Sequence, residues 1–312
     1  MHPAPSIIVF TVFSGSGYGL LFLIGVLGAA GMLPADSAFG LISMIISLGM
    51  ITTGLLSSTL HLGHPERAWR ALSQWRSSWL SREGVASLVT FAPALALAIG
   101  WVFFNEVWTL AAVLSALGAA VTVGCTAMIY ASLKPIAQWH SAWTLPAFVG
   151  MALAGGALLF SLITVFYAPQ GNWPMGLSAL LLSVGWTIKA GYWAIASNRR
   201  SQATPESATG LGQFGKVRLL EAPHSEENYL LKEMAFAIGR KHAMKLRRLA
   251  IACGFVAPLV LLLAADLLVV LPAAPIVIVA VLVGLVGILM ERWLFFAEAK
   301  HTVTLYYGAP NA

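Results

Sequence analysis

Apolar runs about as long as a bilayer is thick recur along this chain, and they constrain its fold more than any other feature. A hydrocarbon core of about 30 Å is crossed by roughly 20 helical residues. Lipid offers the backbone no hydrogen-bond partners, so a spanning segment must be a helix or a strand of a closed barrel. The runs are continuous rather than alternating, which selects helices. Eight are expected, at roughly 7–32, 38–61, 84–104, 107–131, 144–168, 175–197, 247–270 and 274–298. The expected fold class is therefore all-α: a polytopic membrane protein, a bundle of eight transmembrane helices forming one membrane domain over residues 1–312. Charged residues are only 10% of the chain, against about a quarter in soluble domains. The first run lacks a basic start and is too long for the apolar core of a signal peptide, so it is expected to remain as the first span.

Eight spans put both termini and the loops after spans two, four and six on one face. Sixteen of the eighteen Lys and Arg fall there. The other two, Lys189 and Arg292, lie inside spans. The opposite face has none and carries Asp36, Glu106 and Asp266. Positive charge marks the cytoplasmic side, so both termini and the loop-rich face are expected in the cytoplasm. This bias also accounts for the net charge of +6, and no nucleic-acid motif accompanies it. All seven histidines fall on the same face or at its edge.

Most connectors are short. A longer one, residues 198–246, starts Ser/Thr/Gly-rich and continues as "SEENYLLKEMAFAIGRKHAMKLRR". Acidic residues come first and basic ones last, which suits a helix dipole. Tyr229, Leu230, Met234 and Ile238 recur at helical spacing, so an amphipathic helix at the membrane surface or against a partner is expected. A solvated helix leading into span seven is the alternative.

The other polar concentration is "HLGHPERAWRALSQWRSSWLSREG", residues 61–84. "PERAWRAL" is expected to form a short helix with Pro65 near its start. Its arginines and tryptophans suit either a headgroup belt or a docking surface, since Trp and Arg are favoured interface anchors. Arg70, Trp75, Arg76, Trp79 and Arg82 are the docking residues on the second reading. His61 ends span two and Glu83 begins span three, at similar depth. An imidazole and a carboxylate there could bind a quinone carbonyl and exchange protons with the cytoplasm; they could equally be interfacial polar residues, with Glu83 favoured by the helix dipole.

Charges inside spans are costly and often functional. Lys189 lies near the end of span six, where snorkelling to the interface would explain it. Glu291 is deeper, and a polar partner inside the bundle is expected. "QWHSAWTLPAF" brings Trp139 and His140 into the entry of span five, as a belt or as the wall of a flat headgroup site. "GSGYG" (15–19) lies inside an apolar span and follows no strand, so close helix packing is expected rather than nucleotide binding. Cys125 and Cys253 have no metal spacing and read as packing residues. No histidine lies near the opposite face, so a transmembrane haem pair is not expected, and the histidines alone leave open a single haem near the cationic face; no Cys-rich run offers an iron–sulfur cluster, and neither haem nor metal is expected in this chain.

"LHLGHPERAWRAL" followed by "SWLSREG" resembles the membrane-anchor subunit of the dimethyl sulfoxide reductase family of molybdoenzymes. The matching positions are Leu60, His61, Leu62, Gly63, Pro65, Arg67 and Ala68, then Leu80, Ser81 and Glu83. "WHSAWTLPAF" and "LMERWLFFAEAKHTV" are similar to further family segments, the latter through Glu291, Arg292, His301, Thr302 and Val303. The resemblance covers most of the chain. It implies an anchor without a redox cofactor of its own, an iron–sulfur partner and a molybdopterin catalytic partner. It also implies that His61 and Glu83 belong to a quinone site (ubiquinone or menaquinone). Arg67, Tyr130, Trp139, His140, Glu291 and Arg292 are the further quinone-binding residues expected.

The family includes anchors of sulfite-oxidising enzymes whose soluble subunits stay in the cytoplasm. The cationic face favours that branch, in the bacterial inner membrane, with quinone reduced. A quinol-oxidising anchor runs the same site in reverse. A transporter would call for broken helices and a midplane site between related halves, and no convincing repeat is present. A purely structural anchor explains the loop but leaves Glu83 and Glu291 without a role.

Overall fold

The computed structural model describes residues 4–60, 64–167, 173–197, 199, 201–221, 242–267, 272–307 and 309. The amphipathic helix expected after residue 225 lies outside the described residues, as does His61. Among them the fold is entirely helical. Helix α1 is Pro5–Ala29, α2 Ser37–Thr59, α3 Trp79–Phe104, α4 Thr109–Ala131, α5 Thr144–Thr164 and α6 Trp173–Ile195. A short α7, Pro205–Thr209, follows on the surface. Helix α8 runs Ala243–Leu267 and α9 Ala273–Ala297.

Seven of these helices are long and apolar enough to cross a membrane, and α6 is not among them. It has 23 residues, but Lys189 and several Trp, Ser and Gly residues dilute its leucines.

Local chemistry sets the helix ends. Pro5 occupies the first turn of α1, where a missing N–H costs nothing. Asp36 caps α2 by accepting from the Phe39 amide at 2.8 Å. The Ser78 side chain caps α3, which therefore starts five residues before the expected apolar boundary of 84. The polar turn "WLSRE" is helical because it is capped, although it is not greasy. Glu83 accordingly sits in the second turn of α3 rather than at its beginning. Helix α3 ends at Asn105, whose left-handed φ of 53° suits asparagine. The expected short helix of the first loop is a 3-10 helix, Pro65–Gln74, with Pro65 in its first turn.

Helices α1 and α5 form the centre of the bundle and are the most buried spans. They touch backbone to backbone: a Cβ on Gly19 would collide with the Ala152 carbonyl, and one on Gly156 with Gly19. The "GSGYG" run thus serves helix packing, as expected. Helices α2 and α4 also pack on α1, α3 packs on α4, and α6 packs on α5. Helices α8 and α9 meet at Gly254 and Gly287. That contact falls in a π-helical turn of α8, Ala252–Val256, which re-aims the helix so the two backbones can approach.

Candidate functional site

Among the described residues a large cavity lies where the polar loop meets the bundle. It has a volume of about 490 Å³, within the range of small-molecule sites. Ile7 and Phe10 of α1, Leu55 of α2, and Leu72 and Leu80 of the loop and α3 give it apolar walls. Ser58, Thr59, His64, Arg67, Glu83 and Tyr130 supply the polar groups. The cavity is therefore a greasy slot with a few polar atoms, near the face on which α2 ends and α3 begins.

Glu83 is the one buried carboxylate of that wall, only 4% exposed. Its depth follows from the helix start at Ser78, which turns residue 83 inward toward α4. There its Oε1 accepts a hydrogen bond from the Thr126 hydroxyl. Thr126 and Tyr130 are four residues apart on α4, so they share a face. That spacing is the signal by which Thr126 could have been found from the sequence.

The loop is fastened to the start of α3. The Ser81 hydroxyl donates to the Ala71 carbonyl. Arg82 donates from Nε to the Trp75 carbonyl at 2.9 Å and from a terminal nitrogen to the Arg76 carbonyl at 2.8 Å. Three Arg–Trp stacks stud the surface: Arg70 on Trp69, Arg76 on Trp75 and Arg82 on Trp79, the last at 4.2 Å. Arg70, Trp75 and Arg76 are exposed, while Trp79 and Arg82 are half-buried. The loop thus presents rigid aromatic and cationic groups outward while its inner side closes the cavity.

The other expected residues lie apart from the cavity lining. Trp139 is buried, donates from Nε1 to the Phe295 carbonyl at 3.0 Å, and stacks on the Phe295 ring. His140 pairs through Nδ1 with the Ala131 carbonyl at 2.7 Å, and its own carbonyl accepts from Arg199 at 2.9 Å. Both build the turn between α4 and α5. Tyr130 joins this aromatic cluster to the cavity: it lines the cavity and stacks on Phe148.

Glu291 and Arg292 form a buried ion cluster with Lys189. The Lys189 Nζ lies 2.5 Å from Glu291 Oε1, and an Arg292 nitrogen lies 3.5 Å from Glu291 Oε2. Exposure is 1% for the lysine, 0% for the glutamate and 4% for the arginine. Glu291 therefore has the buried partner its depth calls for, and Lys189 turns inward rather than snorkelling. Aromatic rings complete the box, with Lys189 over Tyr192 and Arg292 over Phe148, each at 4.1 Å. Nearer the surface Arg247 and Glu298 make a bidentate pair at 2.7–2.8 Å.

The pattern of the family described as "DMSO reductase anchor subunit (DmsC)" matches residues 1–308. The chain belongs to this family of membrane anchors. It is 31% identical to a sulfite dehydrogenase subunit of Allochromatium vinosum, over 98% of this chain and 99% of that protein. It is 28% identical to a polypeptide of the anaerobic dimethyl sulfoxide reductase of Escherichia coli, over 55% of this chain and 61% of that protein. The anchor assignment agrees with the resemblance carried by residues 60–83 and by the last helix. It makes this chain a multi-span membrane anchor subunit of an oxidoreductase complex.

Proposed function

We propose that this anchor is the quinone-reactive subunit of its complex, passing electrons between the iron–sulfur partner and the quinone pool. The observation that carries the reading is the 490 Å³ cavity with the buried Glu83 in its wall. A quinone headgroup is flat and apolar with two carbonyl oxygens, and this slot offers apolar walls with a few polar groups. Phe10, Leu55 and Leu72 hold the ring, while Glu83 meets one oxygen. His61, two residues past the lining residue Thr59, is proposed to meet the other. Arg67 stands on the loop side and Tyr130 at the back. Trp139 and His140 support the wall from behind.

The Arg–Trp stacks of the loop, two of them exposed and the third half-buried, are proposed as the seat of the iron–sulfur subunit, over the cavity that the loop closes. Reduction of a quinone consumes two electrons and two protons. The electrons come from that partner. Glu83 gives a proton to one quinone oxygen as electron density builds there and is reprotonated from the nearby side of the membrane, and the other oxygen takes the second proton from that same side. By the charge bias that side is the cytoplasm, with both termini, in the bacterial inner membrane.

Helix α6 is proposed as the eighth span. The Ser178 hydroxyl near its start reaches the Ala157 carbonyl at 2.9 Å, and the Tyr192 hydroxyl near its end reaches the Gln138 carbonyl at 3.2 Å. It runs beside the whole of α5 and so crosses the same thickness.

The end-to-end similarity to a sulfite dehydrogenase subunit favours sulfite oxidation with quinone reduction. The dimethyl sulfoxide reductase relative favours a second reading, quinol oxidation at the same cavity. The test is Glu83→Gln in the complex purified with its partners, checked by molybdenum and iron content. Assembly is expected to be kept and quinone turnover to fall by about a hundredfold, as for loss of a positioned general acid. Normal turnover by an intact complex would remove Glu83 from the mechanism.

A further inference from the structure

We propose that Arg292 is a positioning residue for Glu83: it acts through a small hydrated chamber and steadies the carboxylate left behind when Glu83 gives up its proton. The proposal rests on the quinone-site reading above.

Beside Thr126, the hydrogen-bond partner of Glu83, lies a second chamber of about 10 Å³. That is room for about one water. Hydroxyls line it: Ser14, Ser16 and Tyr18 of α1 and Thr126 of α4, with Arg292 of α9 closing the far side. Such a site has the two to four polar partners that a buried water needs. Thr126 links the two compartments: it lines the chamber, and its hydroxyl donates to Oε1 of Glu83 in the cavity wall.

The guanidinium supplies the second observation. Arg292 is 4% exposed, and its Nε has no hydrogen-bond partner among the described residues. Buried N–H groups are almost always satisfied. A water in the chamber can accept from Nε and donate to Thr126, giving an unbroken chain from Arg292 to Glu83.

Charge makes the chain useful. Lys189 and Arg292 together outweigh Glu291 by one positive charge, all three buried. When Glu83 transfers its proton, its O–H bond breaks, an O–H bond forms on the reduced quinone oxygen, and a carboxylate remains in a site with little solvent. The surplus charge across the chamber balances that carboxylate. The other charged and titratable groups facing Glu83 do not: Arg67 and His64 are exposed on the loop, Arg82 is committed to the loop carbonyls, and Tyr18, Cys125 and Tyr130 carry no positive charge.

The test is a double-mutant cycle on quinone turnover in the purified complex. Arg292→Gln is expected to lower kcat about tenfold or more with KM for quinone unchanged, because Arg292 does not line the cavity. Arg292→Lys, which keeps the charge, is expected to recover most of the loss. In a Glu83→Gln background Arg292→Gln is expected to have no further effect, since the carboxylate it serves is gone. Gly15→Val provides the same test without touching the ion cluster. Gly15 lines the chamber, a Cβ there meets nothing within 4 Å, and the added bulk displaces the water. Equal slowing of wild type and Glu83→Gln by both variants would overturn the proposal, as would a change in KM alone. Normal turnover by Glu83→Gln would overturn the quinone-site reading itself, and this proposal with it.

Discussion

Replacing Glu291 by glutamine should be the most destabilising single change in the ion cluster, and then removing Lys189 as well should recover part of the loss. Glu291 is shared by two cations, at 2.5 Å from Lys189 and 3.5 Å from Arg292. At an effective dielectric of about 20 these contacts carry attractions of roughly 7 and 5 kcal/mol before desolvation. Lys189→Met removes the first and leaves the Arg292–Glu291 pair intact and neutral. Glu291→Gln removes both and strands two like charges in one aromatic box. Cation–π contacts with Tyr192 and Phe148 return about 2 kcal/mol to each stranded cation. Breaking a buried pair costs about 3–5 kcal/mol net. Lys189→Met is therefore placed near 3 kcal/mol and Glu291→Gln at 5 or above. The double variant strands only Arg292, so it should lie about 2 kcal/mol above Glu291→Gln in stability. Denaturation of the bicelle-reconstituted chain in mixed micelles, extrapolated to zero denaturant, gives the three values. Additive losses, or a double variant less stable than Glu291→Gln, would refute the shared-carboxylate account.

Three further outcomes follow from packing and burial. Trp101 is fully buried, donates to the Pro34 carbonyl at 2.9 Å and packs on Gly40; Trp101→Ala should cost about 3–5 kcal/mol in the same unfolding assay. Gly19→Leu should abolish accumulation of folded chain, because its Cβ enters the α5 backbone, whereas Gly49→Leu should be tolerated, since a Cβ there meets nothing within 4 Å; detergent-extracted yield and monodispersity separate the two. His301 lies outside the spans, and burial holds its imidazole below the ordinary value of 6.5, consistent with Nδ1 accepting from the Val303 amide at 2.9 Å. Its neutral form is the one the fold favours, so the contribution is complete above about pH 6.5 and is lost as pH falls through the lowered folded value. Protection of the Val303 amide, taken relative to its intrinsic exchange rate, should therefore fall on acidification across that window and show no such fall in His301→Ala.

What could be read in the sequence was whatever depends on one helix at a time. Each long apolar run became a helix, and the Asp36 and Pro5 starts follow from cap chemistry within a few residues. Glu83 was legible as a carboxylate at the loop boundary, but not as a buried one. Its burial depends on the Ser78 cap, which carries the helix back into a polar turn that hydropathy assigns to the loop. Lys189 and Glu291 were each visible as charges too deep for lipid. That they pair required the bundle to bring a side chain of α6 and one of α9 to the same point beside α5, a contact between residues about a hundred positions apart that no periodicity encodes. The same limit explains Trp139, His140 and Arg292. Their residue types suited a quinone wall, and they lie at the right depth, but depth alone does not say which side of a helix faces the cavity. Helical spacing resolves this where a second marker shares the face, as Thr126 does with Tyr130. Arg292 has no such marker on α9, so its place in the chamber that Thr126 also lines comes from the way α1, α4 and α9 converge.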